Sequence, residues 1–541
     1  MKKEGIRDKF IERGRPILQR LESAGFEAWL VGGCVRETLR AEAGQTDGLT
    51  PTDIDITTDA LPPTDIDITT NALPEETCQV FSDLQVIGTG LKHGTVTVLL
   101  PPMTLAPQAA ASRGIPVEIT TYRVDGAYSD GRHPDQVRFV TSLTEDLRRR
   151  DFTVNAMAMD QRGEIADPFG GQADLNAGII RAVGDPDTRF REDGLRILRA
   201  LRFAAVLDYE IEPETEAALR RCAPLLKGIS AERIFVELKK LVCGKAAGRV
   251  VRRYIDILSV VIPQMMPMKG FEQNNPYHKY DVLEHCVRAM EAVRPVAPEP
   301  AGEADMEIGP EQAGEADMET GLEPVGEADM ETAPEQAQPG EPESVRASDP
   351  TNATPEDCMK LAALLHDIGK PGVYSLDENG IGHFYGHPEA GAKIVRQIME
   401  QLKADRATSE RMETLIRHHD MIFQEDDRLL KRWMNRYGPQ VLLEILEIKR
   451  ADNIATGNVS QELLDKFDRI EKQIRQLIRD KACFSIRDLK INGKDLIGAG
   501  VPEGPRIGRI LSDLLEEVID GACPNERDAL MARAEALRRA D

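Results

Sequence analysis

A twelve-residue unit stands twice in succession at residues 51–74, PTDIDITTDALP and then PTDIDITTNALP, the single change being Asp59 against Asn71. In each copy Asp-Ile-Asp-Ile alternates with period two, and Ile and Thr are β-branched, so each reads as a short strand with both carboxylates on one face. Only one copy can pair beside a given neighbouring strand, and the other must become loop. Two carboxylates on one strand face repel unless a cation sits between them. The bland alternative is a solvated edge strand, and the triplet alone does not choose. Both copies end in Ala-Leu-Pro, but only the second runs into Glu75-Glu76-Thr77-Cys78-Gln79-Val80-Phe81, where proline in the first turn and two acids signal a helix start. Asp65 and Asp67 are therefore the expected working pair, with Asp53 and Asp55 as the alternative. The spare unit would lengthen the polar loop at 41–52, where added length costs little.

Upstream, Ala28-Trp29-Leu30-Val31-Gly32-Gly33-Cys34-Val35-Arg36-Glu37 is an apolar strand running through a Gly-Gly turn into a helix start. Glycines let backbone N–H groups approach a phosphate, and Arg36 at a helix N-terminus adds positive charge. Downstream come Gly90-Leu91-Lys92-His93-Gly94-Thr95, Val117-Glu118-Ile119-Thr120-Thr121-Tyr122-Arg123, Arg149-Arg150-Asp151-Phe152-Thr153-Val154-Asn155 and Glu192-Asp193-Gly194-Leu195-Arg196-Ile197-Leu198-Arg199-Ala200-Leu201-Arg202-Phe203. Taken in order, these motifs resemble the nucleotidyltransferase superfamily that includes DNA polymerase β. Within it they resemble the bacterial class II tRNA nucleotidyltransferases: the CCA-adding enzymes and the related bacterial poly(A) polymerases. The resemblance covers the N-terminal half.

Nucleotide transfer to an RNA 3′-hydroxyl needs two Mg²⁺ ions, one activating the hydroxyl and one neutralising the leaving pyrophosphate, and the Asp-x-Asp strand suits such a pair. The resemblance makes Glu118 a third carboxylate; it places Gly32, Gly33 and Arg36 at the nucleotide, Arg150 and Asp151 at its phosphates and ribose hydroxyl, and Arg199 and Arg202 where they steer triphosphate and base. Cytosine and adenine each offer an exocyclic amino donor beside a ring-nitrogen acceptor. An Asp and an Arg three residues apart on one helix face would take C and A and reject U and G, and Asp193 and Arg196 have that spacing. The apolar residues Leu195, Ile197, Leu198 and Leu201 leave the arginines facing a cleft or solvent. Two departures from the family stand out: Glu37 replaces the usual Asp, and Arg36 lies 17 residues from Asp53 and 29 from Asp65, longer links than the family's.

A formal net charge of −24 looks wrong for a protein that holds tRNA until it is located. Residues 291–350 carry 17 acidic side chains against Arg294 and Arg346, in near-identical units AGEADMEIGPEQ, AGEADMETGLEP and VGEADMETAPEQ. Such a segment cannot bury enough apolar surface to fold, so residues 293–352 read as a disordered acidic insert, an RNA-competing tail being the alternative. Its period is again twelve, which suggests repeat expansion in the gene and supports treating one Asp-Ile-Asp copy as redundant.

The insert interrupts a second constellation. His285, then His366-Asp367 in Leu364-Leu365-His366-Asp367-Ile368-Gly369-Lys370, then Asp452 follow the H…HD…D order of HD-type metal phosphohydrolases, with His387 and His418 as candidate ligands of a second metal. Imidazole with carboxylate suits a divalent transition metal. Seven of the nine histidines lie after residue 277. The eight cysteines form no C-x-x-C pair, and no long apolar segment or signal sequence is present, so disulfides, structural zinc, export and membrane insertion are not expected.

The expected fold class is α+β. A small polymerase β-like nucleotidyltransferase head (1–145) precedes a helical neck and body (146–270), an HD metal-dependent phosphohydrolase domain (271–455) around the insert, and a helical tRNA-binding region (456–541). The expected function is template-independent addition of C, C and A to tRNA from CTP and ATP in the cytoplasm, with Mg²⁺ at the transferase site, a transition metal at the HD site, and neither DNA nor membrane as partner. A poly(A) polymerase or partial C- or A-adding relative is the alternative; a decayed transferase retaining HD hydrolysis or RNA binding is the third.

Overall fold

A computed structural model describes residues 5–44, 66–88, 90–100, 115–126, 137–297 and 353–540. The first Asp-Ile-Asp copy, Asp65 of the second, and residues 298–352 lie outside the described residues.

The chain is α+β, with a mixed sheet at its start and helices after it. The first nine described strands are, in chain order, β1 (Ala28–Val31), β2 (Ile66–Thr70), β3 (Gln85–Ile87), β4 (Thr95–Leu100), β5 (Ile115–Thr121), β6 (Arg123–Asp125), β7 (Val137–Phe139), β8 (Ala158–Met159) and β9 (Ile165–Ala166). The main sheet runs β3-β4-β5-β2-β1-β8-β9, with β2 and β5 parallel and the other pairs antiparallel; β6 and β7 form a separate ladder. It is the second copy of the repeat that forms β2, between β1 and β5. Period two explains its orientation: Ile66 and Ile68, with Val96, Val98, Val117 and Ile119, face one core with Ile17, Leu18 and Leu21. Asp67, Glu118 and Thr97, cross-strand partners, turn to the other face. After β2 the chain enters the helix Pro74–Val80, where the Glu76 carboxylate accepts from the Leu73 N–H at 2.8 Å.

Among the described residues a second core cluster draws its members from Phe152 to Leu477. It takes in the helices Leu195–Leu207, Ala231–Val242 and Ala247–Val261 together with those that carry the histidines, so apolar packing continues across the expected boundary near residue 270. The helix Gln461–Arg479 contributes to it as well, packing Phe467, Ile470 and Ile474 into the same cluster beside the helix Pro439–Ala455. A third core spans Cys483 to Ala534. Residues 293–297, counted with the insert, are described: Arg294 donates its backbone N–H (2.6 Å) and its guanidinium to the buried Glu447.

Candidate functional site

Gly32 follows β1 and caps the helix Gly33–Glu42. Its φ of 76° lies in the left-handed region, and a Cβ there would stand 3.4 Å from Arg150 Nη1 and 3.5 Å from Asp67 Oδ2. The turn thus brings a helix N-terminus, the Asp67 carboxylate and the Arg150 guanidinium together. Asp67 and Glu118 are direct partners across β2 and β5, two like charges side by side, an arrangement that is destabilising without a counter-charge. Burial, and then the Asp67 charge, pushes the nearby Cys34 thiol up to about 12, which makes it an inert wall rather than a nucleophile.

Arg36 is placed differently from the expectation. It is buried; its Nε donates to Glu37 at 2.7 Å, its Nη1 to Asn155 at 2.6 Å, and its guanidinium lies 5.1 Å from the Phe203 ring centroid. Glu37 also accepts from Arg40 at 2.7 Å, so the longer side chain that departs from the family pattern clamps two buried arginines. Asn155 donates in turn to Asp151 Oδ1 at 3.2 Å, and Asp151 Oδ2 pairs with Arg199 at 2.6 Å. Burial raises the Asp151 carboxyl, but Arg199 and Asn155 outweigh it and hold it well below the usual range. Arg199 and Arg202 both face the buried Glu237, and Arg202 stacks on Phe203 at 4.2 Å. Arg196 and Arg202 are thus buried, not solvent-facing, because carboxylates and an aromatic face await them.

Asp193 and Arg196 do not share a helix. Asp193 sits in extended conformation after the helix Pro186–Glu192, and the next helix begins at Leu195, beyond Gly194. The Asp193 carboxylate accepts from Leu195 N–H at 3.0 Å and from Arg233 at 2.7 Å. The Arg196 guanidinium donates to Glu192 at 2.5 Å, to the Arg189 carbonyl at 3.1 Å and to the Arg149 carbonyl at 3.0 Å. Each keeps spare hydrogen-bonding capacity: a carboxylate has about four lone-pair sites and a guanidinium five N–H groups.

The histidine constellation converges. Nε2 of His285 lies 3.2 Å from Nε2 of His366 and 3.0 Å from Asp452 Oδ1; Nε2 of His387 lies 3.2 Å from Nε2 of His419. Asp367 stands between the two groups, Oδ2 at 3.2 Å from His366 and 3.4 Å from His285, Oδ1 at 3.3 Å from His387 and 3.7 Å from His419. The Nδ1 atoms of His366, His387 and His419 sit 2.8, 2.9 and 2.6 Å from the carbonyls of Ala363, Phe384 and Ile416, so each carries its proton on Nδ1 and turns an Nε2 lone pair inward. Lone pairs facing one another and a carboxylate need a cation among them, and this donor set fits a divalent transition metal. Among the described residues three groups of donors, His285-His366-Asp452, Cys286-His366-Asp367 and Asp367-His387-His419, have the spacing to hold an ion, the second sharing His366 with the first and Asp367 with the third. Burial pushes His419 down to about 3, leaving it neutral as a ligand must be. Without a cation the same convergence draws a proton: burial opposes it, but Asp367 raises His366 well above its usual value.

His418, the expected candidate, is not in the cluster; its ring packs on Tyr437 at 4.8 Å, and His419 takes the inward place. Helix phase carries the signal, since Met412, Leu415 and Ile416 are buried and put 419, not 418, on the inner face. Sequence reasoning also missed Asp146, fully buried, which accepts from Thr69 Oγ1 at 3.0 Å and Arg149 Nε at 2.9 Å; its place in a first helical turn resembles an ordinary surface acid. It missed Asn155, Arg233, Glu237 and Lys370 as well, the last with its ammonium 2.6 Å from Asp367.

Known proteins match along the chain. The family described as Poly A polymerase head domain matches residues 28–181, the probable RNA and SrmB-binding site of polymerase A matches 208–267, and the putative tRNA nucleotidyltransferase domain 2 matches 388–534. The CCA-adding enzyme of Levilactobacillus brevis is 30% identical over 541 residues, covering 98% of this chain and 99% of that one. The CCA-adding enzyme of Ligilactobacillus salivarius is 43% identical over 253 residues, 47% of this chain, and that match spans only 54% of the relative's length. The crystal structure of the Bacillus stearothermophilus CCA-adding enzyme in complex with CTP superposes with a TM-score of 0.60 at 25% identity, covering 98% of both chains.

Proposed function

The chain belongs to the CCA-adding enzymes, and from that premise we propose that it adds C, C and A to the 3′ end of tRNA from CTP and ATP, with no nucleic-acid template, in the cytoplasm. The observation that carries the reading is the Asp67–Glu118 pair, in register on adjacent strands beside the Gly32–Gly33 turn. These hard oxygen donors suit Mg²⁺, with Asp65 completing the set. When bound, the ions would lower the pKa of the attacking hydroxyl and neutralise the pyrophosphate. The chain's own groups do the rest. N–H groups at the start of the helix Gly33–Glu42 receive phosphate oxygens, and Arg150 adds charge beside them. Asp151, kept ionised and fixed between Asn155 and Arg199, accepts from a ribose hydroxyl and holds Arg199 in place. Asp193, braced by Arg233, accepts from the amino group shared by cytosine and adenine, and Arg196, braced by Glu192, donates to the neighbouring ring nitrogen.

Supplying tRNA that lacks its terminus with CTP alone, ATP alone and both tests this. Ordered addition of two C and then one A supports the reading, and an oligo(A) tail from ATP alone would make the chain a poly(A) polymerase.

A specific observation favours a second activity. The inward Nε2 lone pairs support binding of a transition metal by His285, His366, Asp367 and Asp452, with His387 and His419 serving a second ion. Hydrolysis there would replace a P–O ester bond by one to a water oxygen, the departing alcohol taking the proton.

A further inference from the structure

Asp146, in the short helix Leu143–Arg148, is fully buried, so a nucleotide cannot reach it, yet polar groups from separate parts of the head converge on its carboxylate. Oδ2 accepts from Thr69 Oγ1 at 3.0 Å. Oδ1 accepts from Arg149 Nε at 2.9 Å, has Arg149 Nη2 at the same distance, and accepts from the Arg123 N–H at 3.3 Å. Arg150 Nη2 lies 3.8 Å from Oδ2. A carboxylate is what the place demands. Two consecutive, largely buried guanidiniums need an opposite charge, and only a group with several lone-pair sites can also take a hydroxyl and a backbone N–H.

These contacts lead to different parts of the transferase site. Thr69 is two residues beyond Asp67 on β2, and period two puts both on the face that carries the transferase carboxylates. On the other side the Arg149 carbonyl accepts from Arg196 Nη2 at 3.0 Å, and Arg196 is the residue assigned to the base. The next two residues are Arg150, whose Nη1 stands beside Gly32, and Asp151, which pairs with Arg199 at 2.6 Å. One carboxylate thus joins the strand of Asp67 to the segment that meets phosphate, ribose and base.

Resting on the transferase reading, we propose that Asp146 is a positioning residue that keeps the strand of the catalytic carboxylates in register with the residues that hold the nucleotide. Triphosphate and base each bind through contacts that tolerate a small shift, whereas attack of the RNA hydroxyl on the α-phosphorus does not: a misplacement of about 1 Å can cost roughly a hundredfold in rate. Loss of the link therefore appears in the chemical step and little in affinity.

The test uses the full chain with Mg²⁺, tRNA lacking its terminus and CTP, the single-turnover rate and the half-saturating CTP concentration being measured separately. Asp146→Asn should lower the rate at saturating CTP by about tenfold or more and leave half-saturation within about threefold. Thr69→Val breaks the same link from the strand side and should do likewise, which carries the test should Asp146→Asn not fold; Thr69→Ser keeps the hydroxyl and should keep the rate. The double variant should lose no more than the worse single one, within about threefold, because one link can be broken only once. Unchanged rates in Asp146→Asn and Thr69→Val, a loss confined to half-saturation, or losses that multiply in the double variant would overturn the positioning role and leave the transferase reading intact. If the unaltered protein adds no C, the transferase reading falls and the positioning role with it.

Discussion

Asp151→Asn tests whether the buried network between head and neck is held by charge. Asp151 is 8% exposed and accepts from Phe152 N–H at 2.8 Å, Asn155 at 3.2 Å and Arg199 Nε at 2.8 Å. Asparagine keeps one acceptor but can turn an amide donor toward the guanidinium, leaving Arg199 with Glu237 at 3.8 Å and the Phe203 face at 5.5 Å. Breaking a buried ion pair costs about 3–5 kcal/mol. The Arg199 side chain is 33% exposed, so water recovers part of its loss, and the lower end, about 3 kcal/mol, applies. That is roughly a hundredfold in a local opening equilibrium. Hydrogen exchange on the peptide spanning 150–156 reads it, with protection expected to fall by about that factor. The sign with pH follows: a carboxyl held below its usual value contributes stability that is present above the unfolded value near ~3.9 and is lost as pH falls toward the folded one. The difference between the two proteins should therefore shrink below about pH 4. A protection change under about threefold at pH 7 would refute the reasoning.

Two further outcomes follow from the geometry. Gly32→Ala must place a methyl at positive φ beside Arg150 and Asp67; strain of roughly 1–2 kcal/mol, with a displacement of the carboxylate, should lower single-turnover CTP addition by about a hundredfold while circular dichroism stays unchanged. His419→Ala should remove about one metal equivalent by elemental analysis and His418→Ala none; the reverse order would return His418 to the cluster.

Much of the fold is legible because its elements rest on simple periods. Ile66-Asp67-Ile68 alternates and lies in β2, and proline with two acids after Leu73 becomes a helix start. Asp193 stands off the helix that carries Arg196 because one helix ends at Glu192 and the next begins at Leu195, a break that a three-residue spacing does not reveal. The burial of Arg36 and Arg202 draws on Asn155 and Glu237, partners far from them in sequence whose convergence no local pattern announces, whereas Glu37 and Glu192 lie within four residues of the arginines they pair with. The apolar packing that joins the helices before residue 270 to those that carry the histidines is likewise not legible, because an amphipathic helix shows that it has a partner but not which one.

The central claim is that the second copy of the repeat carries the transferase carboxylates. Its most direct test compares Asp65→Ala with Asp67→Ala, made together, against Asp53→Ala with Asp55→Ala, in addition of C and A to tRNA lacking its terminus. The arrangement of β2 beside β1 and β5 predicts that the first pair abolishes addition and the second leaves it nearly whole. The opposite pattern would place the working strand in the first copy and contradict the account.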